Sequence, residues 1–324
     1  MRPSSVLAGV LAVVGLTLAA PLAAEARPPV APPGPGSFTL WHDVALPPGA
    51  VPMEMVVAST GTVWFADGSD DHLASLDPST GLVTEVPGTT GSFVSSLVEG
   101  VDGAIWYSDP SAALVRRIDP ASGVVTDFGV PAPVRPLALT AAPDGSVWFG
   151  TSEIDTIGHV SAAHGVDLVT VASDGGQPVD IAWGPDGRLW MTQYGVFAVD
   201  AYDPATGAVA SYPLSSPAAT EVEVGSDGAI WLAASDLLHR VEVGGAEEFS
   251  TVPGATFAMP FSLRAGGAGI LYADTEGRIL TAGAGGAFTP LGPGGAGHLP
   301  VSISRAPDGA LWYSDPVNGR LAWG

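Results

Sequence analysis

The chain has 324 residues and carries 33 acidic side chains against 11 basic ones, a formal net charge of −22. Every base is arginine, so Schiff-base and lysine general-base chemistry are excluded, and the acidic balance argues against a nucleic-acid partner, whose phosphates require a basic footprint. Cysteine is absent, so packing alone, without disulfides or a lipid-bearing thiol, is expected to hold the fold.

The first segment, residues 1–26, reads as a signal peptide. Arg2 supplies a short positive start, Val6 to Ala20 is apolar but too short to span a bilayer comfortably, and Ala24-Glu25-Ala26 fits a small-x-small cleavage site. The mature product is therefore expected to be secreted, free of the membrane after cleavage, and monomeric. Residues 27–36, Arg-Pro-Pro-Val-Ala-Pro-Pro-Gly-Pro-Gly, form a proline-rich linker. Residues 37–324 then read as one domain, because a single unit repeats through them.

That unit is a glycine turn followed by an apolar and aromatic strand. It occurs as Gly61…Trp64-Phe65, Gly103…Trp106-Tyr107, Gly145…Trp148-Phe149, Gly187…Trp190-Met191, Gly228…Trp231-Leu232, Gly269…Tyr272 and Gly309…Trp312-Tyr313. The glycines are spaced by 42, 42, 42, 41, 41 and 40 residues, a period that marks a repeated supersecondary unit. Within the first unit, Met53–Ala58 suits an inner strand, Val63–Ala66 a second, His72–Leu76 a third and Leu82–Val86 an outer one. A turn at Asp77-Pro78-Ser79-Thr80-Gly81 joins the last two. No segment has helical periodicity over three turns. Seven four-stranded units without helices specify an all-β, seven-bladed β-propeller. The last blade stops after its third strand, near Trp323, so the segment Ser37–Pro47 is expected to supply its outer strand and close the ring.

In this architecture the loops entering the inner strands and those between second and third strands share one mouth of the central channel. Two sets of positions lie there. The first stands seven residues before each repeat glycine: Glu54, Ser96, Ala138, Asp180, Glu221, Ser262 and Ser302. Of these, Glu54, Asp180 and Glu221 are the candidate ligand-binding residues. The second set follows each key aromatic within three residues, as Asp67, Asp109, Thr151, Gln193, Ala234, Asp274 and Asp315. Its aspartates occupy blades 6, 7, 1 and 2, an unbroken arc of a closed ring. Asp67, Asp109, Asp274 and Asp315 are thus the candidate ligands for a hard divalent cation, magnesium or calcium, and capping of the local turns is the competing reading. The six histidines show no zinc spacing. His72 and His298 border mouth loops of neighbouring blades and are the candidate general bases. The glycine-rich stretches lack the strand–loop–helix context of a phosphate cradle, and there is no GxSxG elbow.

The pattern Pro178-Val179-Asp180-Ile181 … Pro185-Asp186-Gly187-Arg188-Leu189-Trp190, with Asp203-Pro204-Ala205-Thr206-Gly207, resembles the repeat of the streptogramin (virginiamycin B) lyases over residues 37 to 324. The resemblance implies a seven-bladed propeller. It also implies opening of a cyclic depsipeptide by elimination across its ester, with magnesium and a histidine that follows the proline entering an inner strand. At those positions this chain has Met53, Leu137, Val179, Phe261 and Val301, with Val51, Arg135, Gln177, Met259 and Leu299 before the prolines. None is a histidine or an acid; the acid that follows the aromatic remains. More loosely, Glu54 stands where the gluconolactonase and senescence-marker-protein propellers carry a metal-binding acid. The sequence therefore reads first as a module that binds a small molecule or a protein at the channel mouth. The second reading is a divalent-metal-dependent lyase or lactone hydrolase.

Overall fold

The computed structural model describes residues 41–324 apart from 154, 172–174, 215–218, 235–236, 245–246, 252–259, 268, 286–287 and 292–296. The expected signal peptide, the linker and residues 37–40 of the expected closing strand lie outside the described residues. Among the described residues there is no helix, and hence none long and apolar enough to cross a membrane.

Seven antiparallel sheets of four strands follow one another round the ring. In blade 1 the strands are Pro52–Val57, Val63–Asp67, His72–Asp77 and Leu82–Glu85. The register Pro52↔Asp67 puts the start of the inner strand and the end of the second at one mouth of the channel. The aspartates of the second set are thus the last residues of second strands rather than loop residues. The closing strand is His42–Ala45, paired with the third strand of blade 7, Arg320–Trp323, in the register His42↔Trp323 to Ala45↔Arg320. Within the expected segment Ser37–Pro47, the described residues thus pair over His42–Ala45. Even blades whose last turns have lost the Asp-Pro-x-x-Gly pattern keep an outer strand: Gly165–Thr170 in blade 3, Glu247–Thr251 in blade 5 and the three-residue Phe288–Pro290 in blade 6.

The tryptophans explain why a single sheet does not suffice. Trp64 packs on Leu97, Ile105 and Tyr107 of blade 2, and Trp106 on Leu139, Val147 and Phe149 of blade 3. Trp190 and Trp231 cover the same faces of blades 5 and 6, and Trp312 packs on Met55, Val63 and Phe65 of blade 1. Each indole leaves its own sheet to bury the next, so the apolar area that stabilises the fold lies between blades.

Blade 6 departs from the sequence reading. Its turn is one residue shorter, with Gly267 (φ +62°) in the left-handed region while Gly269 begins the strand Gly269–Asp274. Leu271, not Tyr272, consequently takes the tryptophan's place and packs on Ile303 and Leu311 of blade 7. Tyr272 faces back onto Trp231, as Phe65 faces back onto Trp312.

Gly158 on the third strand of blade 3 lies under the ring of the buried Phe149, and a Cβ there would meet Phe149 Cζ at 1.8 Å. Gly158→Ala is expected to cost about 1–3 kcal/mol through overpacking, read as a lowered melting temperature. A variant as stable as the parent would show that Phe149 has room to move.

Candidate functional site: the inner strands and the channel

The inner strands are stitched together by one repeated contact. In five of the inner strands a backbone N–H donates to a side chain on the preceding blade: Met55 to Ser302 Oγ (3.2 Å), Leu139 to Ser96 Oγ (3.1 Å), Val222 to Asp180 Oδ2 (2.7 Å), Leu263 to Glu221 Oε2 (2.9 Å) and Ile303 to Ser262 Oγ (3.3 Å). These acceptors all belong to the first set of positions. Alanine at 138 cannot accept, and Thr140 does so instead, from the Trp183 N–H at 3.2 Å. The positions thus have a structural role, which a hydroxyl fulfils at several seams and a carboxylate at two.

Glu54 differs. Its Oε1 accepts from Arg264 Nη2 at 2.9 Å, across the 210 residues that separate blades 1 and 6. Between them runs the inner strand of blade 7, Ser302–Arg305, whose Ser302 and Ser304 hydroxyls accept from the Met55 and Val57 N–H groups. A second Arg264 nitrogen donates to its own Leu263 carbonyl at 2.8 Å. Burial lowers the Arg264 pKa, but the charges of Glu54, Glu223, Glu221 and Asp180 outweigh it and hold the value above the ordinary one. The Arg264 and Glu54 side chains keep 33% and 22% of their surface accessible, and because both lie on inner strands that exposure is to the channel.

The acids respond in the opposite sense. Burial pushes Asp180 up to about 7, with Glu223 pushing the same way and the N–H groups of Val222 and Ile181 opposing. Burial pushes Glu221 up to about 8, helped by the charges of Asp180 and Glu54 and opposed by Arg264. Glu54 and Glu223 are also raised by burial, against the pull of Arg264. Negative neighbours push the same way as burial, and one cation opposes them.

The three candidate binding residues Glu54, Asp180 and Glu221 are therefore gathered into one electrostatic cluster. Sequence reasoning missed Arg264 and Glu223. A signal existed: each stands two residues after a first-set position, on the same face of its strand.

The four aspartates of the second set are engaged separately, each in its own blade. Asp67 Oδ1 accepts from the N–H groups of Val51 and Ser69, both at 2.9 Å. Asp109 takes the Ala112 N–H at 3.0 Å and faces Arg116 at 3.2 Å. Asp274 pairs with Arg278 at 2.6 Å. Asp315 takes Asn318 Nδ2 at 2.7 Å and Arg320 Nη2 at 3.2 Å. Among the described residues no three acids or histidines are grouped so as to hold a metal ion. The donor set does not fit magnesium: three of the four carboxylates already face a guanidinium, which competes for the charge an ion would use.

His72 is buried, its Nδ1 against the Asp70 carboxylate. It lines a cavity of about 230 Å³ with Phe65, Asp67 and the prolines at 47 and 48. His298 Nδ1 lies 2.5 Å from Arg320 Nη2 and 3.3 Å from Asp315 Oδ2. Each candidate base thus sits beside a carboxylate, and in the second case also beside an arginine. His239 is in the core, where burial holds its pKa down at about 4 and keeps the ring neutral.

Fold and site together define a seven-bladed propeller whose channel is lined by a titratable acid–arginine cluster. The chain belongs to the virginiamycin B lyase family, whose model matches residues 41–274. A streptogramin B lyase structure superposes with a TM-score of 0.78 at 22% identity, covering 88% of this chain and 96% of that one. A virginiamycin B lyase from Staphylococcus aureus does so at 0.78 and 19%, over 88% and 98%. The extracellular domain of a putative hybrid two-component system from B. thetaiotaomicron reaches 0.73 at 12%, over 88% of this chain and 42% of that one. At these identities the structural likenesses establish the fold alone. No curated protein matches the sequence.

Proposed function

We propose that this protein is a secreted binding module of the virginiamycin B lyase family that takes a small molecule or a protein segment at the channel mouth. The observation that carries the reading is the cluster of Arg264 with Glu54, Glu221, Glu223 and Asp180 on inner strands. It offers a hydrogen-bonding cation and several acceptors in a confined space, suited to orienting a ligand. The absence of histidine after the strand-entry prolines supports binding over elimination. A small-molecule library screened by thermal shift tests it. Ligands that stabilise the protein are expected to lose affinity by about tenfold or more in Arg264→Met, since a hydrogen bond to a charged group is removed. Hits indifferent to that change and to Glu54→Gln would place binding elsewhere. N-terminal sequencing of the exported product tests secretion, with Arg27 as the expected first residue.

The second reading, a divalent-metal-dependent lyase or lactone hydrolase, has the family membership in its favour. Calorimetry with magnesium and calcium, and incubation with virginiamycin B and simple lactones, separate the two. No heat at millimolar ion is expected. Turnover that disappears in Asp67→Ala would establish the enzyme.

A further inference from the structure

Blade 2 carries an ion-pair network that blade 1 lacks. Arg116, on the third strand Leu114–Ile118, donates through Nε to Asp127 Oδ1 at 3.0 Å and through Nη1 to Asp109 Oδ2 at 3.2 Å. The same Nη1 meets the Ser92 hydroxyl and lies 3.4 Å from the Tyr107 hydroxyl. Strand register sets Arg116 between Tyr107 and Asp127. In blade 1 the same register sets Ala74 between Phe65 and Glu85. The repeat glycines Gly61 and Gly103 are 42 residues apart. At that spacing Ala74 stands for Arg116, Ala50 for Ser92, Phe65 for Tyr107, Asp67 for Asp109 and Glu85 for Asp127. All five blade 1 residues line the cavity of about 230 Å³ beside His72.

The cavity is therefore the space that an arginine side chain fills in the next blade. The two neutral partners have lost their oxygens, as Ala50 and Phe65, while the two carboxylates remain. Asp67 is only 6% exposed, and the N–H groups of Val51 and Ser69 both go to its Oδ1. Its Oδ2, the counterpart of the oxygen that faces Arg116 in blade 2, accepts from none of the described residues. Asp70 is engaged by His72 Nδ1, and among the described residues the lining contains no arginine. A carboxylate so deeply buried is ordinarily paired with a cation.

We propose that this cavity in blade 1 is a binding site for a guanidinium group, held between Asp67 and Glu85 as Arg116 is held between Asp109 and Asp127.

Shape favours guanidinium over ammonium. Arg116 meets its two acids through different nitrogens of one plane. A planar cation with donors along its edges can join carboxylates on separate strands, whereas an ammonium is a compact point charge. Phe65, Pro47 and Pro48 supply apolar walls, and the volume, that of about seven waters, leaves room for the carbons next to the group. Glu85 is exposed, so the way in is from solvent. The guanidinium can belong to a small free molecule or to an arginine side chain of a peptide. The site lies on the second, third and fourth strands of blade 1 and uses none of the Arg264 cluster, so it stands or falls apart from the binding reading above.

NMR titration of the intact protein with methylguanidinium and with the tripeptide Gly-Arg-Gly tests the site and separates the two sources. Methylammonium and Gly-Lys-Gly are the controls. One saturable equivalent is expected, with shifts at the Ala74 and Glu85 amides and clearly weaker binding of the controls. Glu85→Gln removes a charged acceptor and is expected to weaken binding by about tenfold or more. Ala74→Arg fills the cavity from within; it is expected to abolish binding and to melt no lower than the parent, since blade 2 already holds that arrangement. Arg116→Ala asks the same question without altering blade 1: emptying the matching place in blade 2 is expected to raise the equivalents bound from one to two. Absence of saturable binding by either guanidinium source, controls that bind as tightly, or binding that survives Ala74→Arg would overturn the proposal.

Discussion

Removal of residues 41–47 is expected to lower the melting temperature by about 10 °C, and the shortened chain is expected to associate. The reason is that the ring has only one non-sequential joint. His42–Ala45 supplies the fourth strand of blade 7. Around it, Val44 and Leu46 enter the core between blades 7 and 1, Trp41 packs edge-on against Tyr313 with centroids 5.0 Å apart, and the His42 ring stacks on Trp323 at 4.4 Å. Burying a large apolar side chain contributes about 1.5–3 kcal/mol; two or three such residues lost, at about 2–4 °C per kcal/mol for a domain of this size class, give the shift quoted. Trp323 and Leu321 would be uncovered and the Arg320–Trp323 strand left as an open edge, a template for pairing with another chain. The ion pair of Asp43 with Arg320, at 2.5 Å, is a minor part of the joint: the Asp43 side chain is 56% exposed, and an exposed pair is worth about 0–1 kcal/mol. Asp43→Asn should leave the melting temperature nearly unchanged, and scanning calorimetry with size-exclusion chromatography distinguishes the two variants. A deletion that melts like the parent would mean that blade 7 stands on three strands.

How much of this was legible in the sequence follows from range. The Gly–x–x–Trp unit is local, so its period gives the blade count, the strand order and the seam-filling indoles directly. The blade 6 shift was hidden because the shorter turn keeps a glycine and an aromatic at the expected spacing while moving the seam position to Leu271. The aspartates after the aromatics could be seen but not interpreted. Arg116, Arg278 and Arg320, which engage Asp109, Asp274 and Asp315, lie four to seven residues downstream, near enough to be noticed but separated by a turn whose geometry decides whether they meet. Arg264 was out of reach in another way. Glu54 is 210 residues away, and the pair exists only because the ring brings blades 1 and 6 onto one channel. Local periodicity reveals the scaffold; the channel chemistry is a property of closure.

The other large effect is expected from a single indole. Trp231→Ala should destabilise the protein by about 3–5 kcal/mol, the range for a buried aromatic cut to alanine. Trp231 is fully buried and contacts Leu263, Ile270 and Tyr272 across the seam to blade 6. Its environment is built by the turn that precedes it. Nε1 donates to Asp227 Oδ1 at 3.1 Å, and Arg240 pairs with the same carboxylate at 2.8 Å while lying 6.0 Å over the ring. Gly225 completes the enclosure, since a Cβ there would lie 2.5 Å from Trp231 Nε1. Trp190 repeats the arrangement with Asp186, Arg188 and Gly184. Truncation leaves a cavity on a seam whose other wall is a different sheet, so the surroundings can close on it only by moving a whole blade. Trp231→Phe retains most of the apolar area and forfeits the Asp227 contact, and its cost should be near the roughly 1 kcal/mol of one hydrogen bond plus a small void. Trp183, half-buried at the end of an inner strand, is the control: Trp183→Ala should cost clearly less. Denaturant unfolding of the three variants tests the ranking. If Trp183→Ala matched Trp231→Ala, the seam indoles would not be what holds the blades in a ring.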